Sequence, residues 1–467
     1  MPTDKKSSAK PTIATIEQGE EETIAAVATP PGKGGVGIIR LSGPNSFKIV
    51  EALTHKKEFK NRYATYSKFL DASDVIIDSG IIICFHAPQS FTGEHVAEIQ
   101  GHGGPVILQM LLARVIDLGA RQARPGEFSE RAFLNEKLDL IQAEAIADLI
   151  ESASQAAAKS AMRSLQGEFS NEIHLLLAEL INIRMYVESA IDFPEEEIDF
   201  LSDGIVLKKI DRTLEQIIKV QTAAGTGQLL QDGFRIVLAG KPNAGKSTLM
   251  NVLSGYEVAI VTDIAGTTRD SIKVTVDFDG LPIHITDTAG LRDSDDIVEK
   301  IGVERAKKAI ELADHVLLLV DVKYPVDINI LLAEEGLQTV ESKMTVLYTK
   351  SDTQPDFSIP DNFPYPNLVL SALEQSGIDS LKERIKALAG YRSEDSNVFS
   401  ARARHIKSIQ TASDAVIRAK ESLLSEQAGE LVAFELLVAQ NALNSITGEF
   451  NADDLLGEIF SSFCIGK

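Results

Sequence analysis

The clearest chemistry in the sequence lies in one short run, FRIVLAGKPNAGKSTLM (234–250). Gly240, Gly245, Lys246 and Ser247 fall there at the spacing Gly-x-x-x-x-Gly-Lys-Ser, after an apolar strand-like stretch and before a helical one. The two glycines let main-chain N–H groups wrap around a phosphate, and the N-terminus of the following helix adds partial positive charge. Lys246 reaches the outer phosphates, and the Ser247 hydroxyl suits Mg²⁺. Asn243, Ala244 and Thr248 share the same loop and helix start. The expected ligand is a nucleoside triphosphate with its magnesium ion.

Further pieces follow in order. DIAGTTRD (263–270) offers Thr268 as a second Mg²⁺ ligand from a loop. SIKVTVDFDGLPIHITDTAG (271–290) reads as a hairpin with an Asp279-Gly280 turn, then Asp287 for the metal through water and the Gly290 amide for the γ-phosphate. MTVLYTKSD (344–352) is a strand ending at Asp352, whose carboxylate can accept two N–H bonds from guanine. LVLSAL (368–373) is another strand, after which the Ala372 amide can donate to guanine O6, with Ser371 beside it among the GTP-binding candidates. Together these predict an α/β domain that binds and hydrolyses GTP. Two positions depart from the usual pattern. Thr349-Lys350-Ser351-Asp352 stands where Asn-Lys-x-Asp is usual, so one hydroxyl replaces a planar amide and the bracing of the phosphate loop is in question. Leu291 follows Asp-x-x-Gly, where a glutamine would orient the attacking water. Arg269, Asp270 and Glu299 are candidates to help instead, although by spacing alone Glu299 reads as a solvated helix-face charge.

The elements that must hold these residues fall into three textures within 467 residues, a length that implies several domains. Residues 1–22 read as a disordered tail with no signal-peptide core. Residues 23–140 mix short β-like runs with glycine loops; 141–231 are helical; 232–395 alternate strands and helices; 396–467 return to helical texture. The expected architecture is multidomain: an α+β N-terminal domain, an α-helical bundle domain and a Ras-like α/β P-loop GTPase domain inserted into the bundle. The net charge of −22 repels nucleic acid at long range, so an RNA partner needs a local basic patch. ARARHIK (401–407) is one short candidate, which reads more simply as a solvated helix start. Two cysteines, Cys84 and Cys464, form no disulfide framework, and no apolar run has the length of a membrane span. A cytoplasmic protein without a membrane partner is expected. Cys84 with His86, His95 and His102 has metal-ligand chemistry, but the apolar run IIICF makes Cys84 a core residue.

The set TPPGKGGVGIIRLSG, SFTGE, GHGG, RPGEFSERAFLNEKLDLIQAEAIADLI, IDFPEE, GKPNAGKST, DIAGTTRD, DTAGLR and terminal CIGK, in this order, resembles the MnmE (TrmE) family of tRNA modification GTPases from about residue 23 onward. The resemblance implies a homodimer that works with an FAD-containing partner, MnmG (GidA). Together they would add a carboxymethylaminomethyl-type group at C5 of the wobble uridine of certain tRNAs. The carbon would come from a reduced folate, 5,10-methylene- or 5-formyl-tetrahydrofolate. The N-terminal domain would bind the folate and form the dimer. Hydrolysis would be switched on by K⁺ when two GTPase domains meet.

By the same resemblance, Asn243 coordinates K⁺, and Thr262, Ile264 and Thr267 cover it, which supplies the cation that Leu291 leaves wanting. Glu299 helps position water, and Arg269 and Asp270 belong to the loop that orders on dimerisation. Arg40, Glu98, Lys137 and Lys467 match folate contacts; a carboxylate suits pterin N–H groups and cations suit the anionic tail. Cys464 would return to the folate pocket as nucleophile or acid near C6 of the uridine, helped by Lys467. A GTPase switch in ribosome assembly, without modification chemistry, is the alternative.

Overall fold

The computed structural model describes residues 22–192, 204–255, 273–287, 308–324, 326–335, 337–359, 362–391, 398–425 and 429–448, and near the end of the chain 457, 459–461, 463 and 466. The chain divides into two compact units, one of residues 1–143 with 451–467 and one of residues 144–450.

The first unit is built on a six-stranded sheet. Its elements are β1 (Ile24–Val27), β2 (Gly34–Ser42), α1 (Ser46–Thr54), β3 (Thr65–Leu70), β4 (Ile76–Phe85), β5 (Val96–Gly103), α2 (Pro105–Asp117), β6 (Arg121–Gln122) and α3 (Glu127–Leu134). The strand order is β3-β4-β5-β2-β1-β6, antiparallel except for the β1–β6 pair. Alternation in β1 (IAAV) buries both faces. Ala25 joins Ile39, Leu41, Val50 and Leu111 in the core with α1 and α2, while Ile24 and Ala26 pack with Ala123 and Phe128 of α3 on the other face. Cys84 is a member of the first core, and burial, then Glu51, pushes its thiol up to about 12. His86 and His95 instead pack as rings against Phe47, and His102 Nδ1 lies 2.7 Å from Asp78. The last described residues belong to this unit: a Cβ on Gly466 would lie 2.4 Å from Val27 O, and one on Gly126 would lie 2.4 Å from Phe460 O.

α4 (Leu140–Glu151) carries the chain into the second unit. There α5 (Gln155–Leu165), α6 (Glu168–Asp192) and α7 (Ile205–Asp232) precede an α/β domain of β7 (Phe234–Ala239), α8 (Lys246–Ser254), β8 (Lys273–Phe278), β9 (Leu281–Asp287), β10 (His315–Asp321), α9 (Ile328–Glu335), β11 (Met344–Thr349), β12 (Asn367–Val369) and α10 (Ile378–Leu388). α11 (Ala403–Ser425) and α12 (Gly429–Thr447) follow and pack with α6 and α7 as a bundle. The α/β domain is thus inserted between α7 and α11. Its sheet order is β12-β11-β10-β7-β9-β8, parallel apart from β8. β10 and β11 are buried along nearly their whole length, as expected for parallel strands covered on both faces.

The helical part corrects one expectation. The basic run at 401–407 is neither a free patch nor a solvated helix start. Arg404 forms a two-pronged pair with Glu144 (2.9 and 2.7 Å), Arg402 pairs with Asp148 at 2.8 Å, and His405 Nε2 lies 3.0 Å from Glu144. Ser400 also bonds Asp148. Glu144 and Asp148 of α4 are buried, and an unpaired buried carboxylate is costly. Burial pushes the Glu144 carboxyl up, but His405 and Arg404 outweigh it and hold it well below the ordinary range. Among the described residues no helix is long and apolar enough to cross a membrane.

Candidate active site

The phosphate loop joins β7 to α8. Gly240 takes φ +133°, and a Cβ there would meet Leu319 O at 2.4 Å. Gly245 caps α8 at φ +97°, a left-handed conformation that glycine adopts without strain. Lys246 is buried, and its ammonium donates to Gly240 O at 2.6 Å and Lys241 O at 3.0 Å, so it arches over the loop that would hold phosphate. Ser247 and Thr248 occupy the exposed first turn of α8. Ser247 Oγ reaches Asp287 Oδ2 at 3.4 Å, which brings together two oxygens of opposite ends of separate elements. Such hard oxygens suit Mg²⁺.

The guanine-side residues stand at the ends of β11 and β12. Thr349 is buried and its hydroxyl donates to Ala244 O at 2.7 Å, with Val320 O at 3.3 Å. One hydroxyl therefore does brace the phosphate loop. Lys350 adds a second brace, from its ammonium to Asn243 O (2.7 Å) and to Asp321 Oδ2 (2.8 Å). Asp321 ends β10 in register with Thr349. Burial raises its pKa, but Lys350 and the Lys323 amide outweigh this and hold the carboxyl below the ordinary range. Asp321 went unnoticed in the sequence, where a carboxylate closing the apolar run HVLLLVD was its only signal. Ser371 Oγ donates to Asp352 Oδ1 at 2.5 Å, orienting the carboxylate, and Ala372 follows directly. Asn243 has φ +63° and an exposed side chain. Thr262, Ile264, Thr267, Thr268, Arg269, Asp270, Gly290, Leu291 and Glu299 lie outside the described residues.

In the first unit, Arg40 of β2 and Glu98 of β5 are register partners on the face away from α1 and α2. Arg40 Nε and Nη2 donate to Glu98 Oε1 at 3.2 and 3.0 Å, and Gln100 Nε2 reaches Glu98 Oε2 at 3.4 Å. The guanidinium lies 5.6 Å from the Phe91 ring centre and 5.9 Å from that of Phe128. The result is a partly buried charge pair flanked by two flat rings. Lys137 is exposed and donates to Pro88 O at 3.0 Å, on the loop that carries Phe91. Behind them, Arg131 pairs with Glu94 (3.0 Å) and Glu127 (3.2 Å), and Arg121 pairs with Glu127 at 2.6 Å. Burial pushes the Glu127 carboxyl up, but bonds from Arg121 and the Arg124 amide take it down to about 2. Phe91, Phe128 and Gln100 were not singled out by spacing. Lys467 and Cys464 lie outside the described residues.

Two family descriptions match the chain: the GTP-binding protein TrmE N-terminus over residues 23–137 and the MnmE helical domain over residues 140–464. The tRNA modification GTPase MnmE of Saccharophagus degradans is 55% identical over 452 residues, covering 96% of this chain and 99% of that protein. The protein of the same name from Pseudomonas paraeruginosa is 52% identical, covering 96% and 100%, and that from Coxiella burnetii is 51% identical, covering 96% and 99%. Among solved structures, the G domain of the T. maritima FeoB iron transporter is 28% identical with a TM-score of 0.27, covering 33% of this chain and 98% of that one. The chain belongs to the MnmE family of tRNA modification GTPases and is a GTP hydrolase of tRNA modification.

Proposed function

We propose that the chain hydrolyses GTP, with K⁺ as activator, to drive wobble-uridine modification as a homodimer in the cytoplasm. Its partner is an FAD-containing protein of the MnmG (GidA) kind, and the product is a carboxymethylaminomethyl-type group at C5 of the uridine in certain tRNAs. A reduced folate, 5,10-methylene- or 5-formyl-tetrahydrofolate, supplies the carbon. The observation that carries the folate part is the Arg40–Glu98 pair beside Phe91 and Phe128. A carboxylate fixed by an arginine whose guanidinium lies against two aromatic rings suits a flat heterocycle that presents N–H donors. Lys137, on the neighbouring loop, suits the anionic tail.

On the nucleotide side, Ser247 and Asp287 would hold Mg²⁺, with Thr268. Asn243, with Thr262, Ile264 and Thr267, would hold K⁺. The fit rests on the oxygen-only donor set at Ser247 and Asp287 and on the exposed Asn243 side chain, whose main chain Lys350 holds. The cations supply positive charge at the phosphates when bound. Lys246 binds the outer phosphates, Asp352 selects guanine, and Glu299 orients water, with Arg269 and Asp270 in the loop that orders on dimerisation. The test of the folate site is equilibrium binding of a labelled reduced folate to the chain and to Glu98→Ala. Binding should weaken at least about tenfold in the variant. A chain that binds GTP but no folate would point instead to a GTPase switch that changes partners in ribosome assembly.

A further inference from the structure

The β8–β9 turn is gripped by groups that phosphate chemistry does not use. Asp279 and Gly280 both have positive φ, 54° and 99°, the twist that suits a two-residue hairpin loop. Gly280 O accepts from Ser154 Oγ at 2.7 Å, Asp279 O accepts from Tyr391 Oη at 3.1 Å, and the Asp279 carboxylate takes Lys386 Nζ at 2.7 Å. A Cβ on Gly280 would lie 2.8 Å from Tyr391 Oη and 2.9 Å from the Ala156 Cβ. A hairpin loop with no further role faces water. Here both of its carbonyls are bonded, one by the residue that caps α5 and one by the segment that leaves the α/β domain. Ser154 Oγ also accepts from Ala157 N at 3.1 Å, so its hydroxyl ties the turn to the first turn of α5.

Both directions from this turn lead somewhere. β9 runs from it for roughly 20 Å, buried at all but one position, and ends at Asp287 beside Ser247. On the other side, Ser160 O of α5 accepts from Ser400 N at 3.2 Å, and Ser164 Oγ donates to Ser400 O at 3.0 Å. Ser400 and Arg402, just before α11, then bond Asp148 of α4.

We propose that the β8–β9 turn reports the nucleotide state at Asp287 to the helical part through α5 and residues 398–402, with Ser154 and Tyr391 as positioning residues. The inference rests on the nucleotide reading of the site. It is tested by hydrogen exchange on the full chain with GDP and with a non-hydrolysable GTP analogue, in Mg²⁺ and K⁺. In the wild type, exchange in α5 and 398–402 should differ at least about threefold between the two nucleotides. Ser154→Ala with Tyr391→Phe should remove the difference while analogue affinity stays within about threefold, and Ser154→Thr should restore it. An analogue-bound wild type with equal exchange in both states, or a double variant that keeps the difference, overturns the proposal. If the double variant unfolds, Tyr391→Phe alone must reduce the difference, and an unchanged difference is equally decisive. Failure of the wild type to bind the analogue at all is a separate result and sinks the nucleotide reading itself.

Discussion

The Thr349 hydroxyl holds the phosphate loop through the bond it donates to Ala244 O. Thr349 in place of the usual asparagine was plain in the sequence. What it does depended on the approach of Ala244 O to 2.7 Å, which no spacing reveals. Removing the hydroxyl leaves a buried carbonyl without that partner, at a cost of about 1–2 kcal/mol. Thr349→Ala should therefore weaken guanine-nucleotide binding roughly 5- to 30-fold in a fluorescence titration. Thr349→Ser should stay within about threefold, since the donor remains. His315 makes a pH prediction. Burial first, then Arg384 and Lys343, lower its pKa from 6.5 to about 4. The unfolded imidazole takes up a proton between these values while the folded one does not. Stability from this source is present above about pH 6.5 and is lost as pH falls toward 4, by at most about 3 kcal/mol. In urea unfolding, His315→Gln should show a flatter loss between pH 7 and 4.5 than the wild type. Arg40 and Glu98 became legible only through the family resemblance. They lie 58 residues apart and meet because β2 and β5 pair in that register.

At the scale of elements, the phosphate loop, β7, β9 and β11 were legible because each of these strands is a short apolar run that ends at or beside a site residue, whereas β10, which ends at Asp321, was not singled out. The helical run 401–407 was not legible. Its arginines are satisfied by Glu144 and Asp148, more than 250 residues earlier, and sequence spacing says nothing about such a partner. This cluster fastens α4 to the start of α11. Glu144→Gln would leave Arg404 and His405 with a neutral partner in a buried place, and we expect a loss of about 3–5 kcal/mol in denaturant unfolding. A surface change such as Glu421→Gln should stay within about 0.5 kcal/mol. The grouping of residues 451–467 with the first unit likewise had no local signal, because it depends on the fit of Gly466 against Val27 and of Gly126 against Phe460.

For the whole molecule, acidic residues outnumber basic ones, 68 to 46, and the two arginines of the 401–407 run are paired with Glu144 and Asp148. The protein is a GTP hydrolase of tRNA modification whose sequence has Leu291 after Asp-x-x-Gly, where a water-orienting glutamine is common. Under the proposed reading, a monovalent cation at Asn243 supplies the missing assistance, so ionic identity rather than ionic strength controls the rate. The most direct measurement is steady-state GTP hydrolysis by the full chain in KCl and in NaCl at equal concentration, repeated with Asn243→Ala. The reading predicts at least about tenfold faster turnover in KCl. It also predicts loss of that difference in the variant, with nucleotide affinity changed less than about threefold. Equal wild-type rates in the two salts would contradict it.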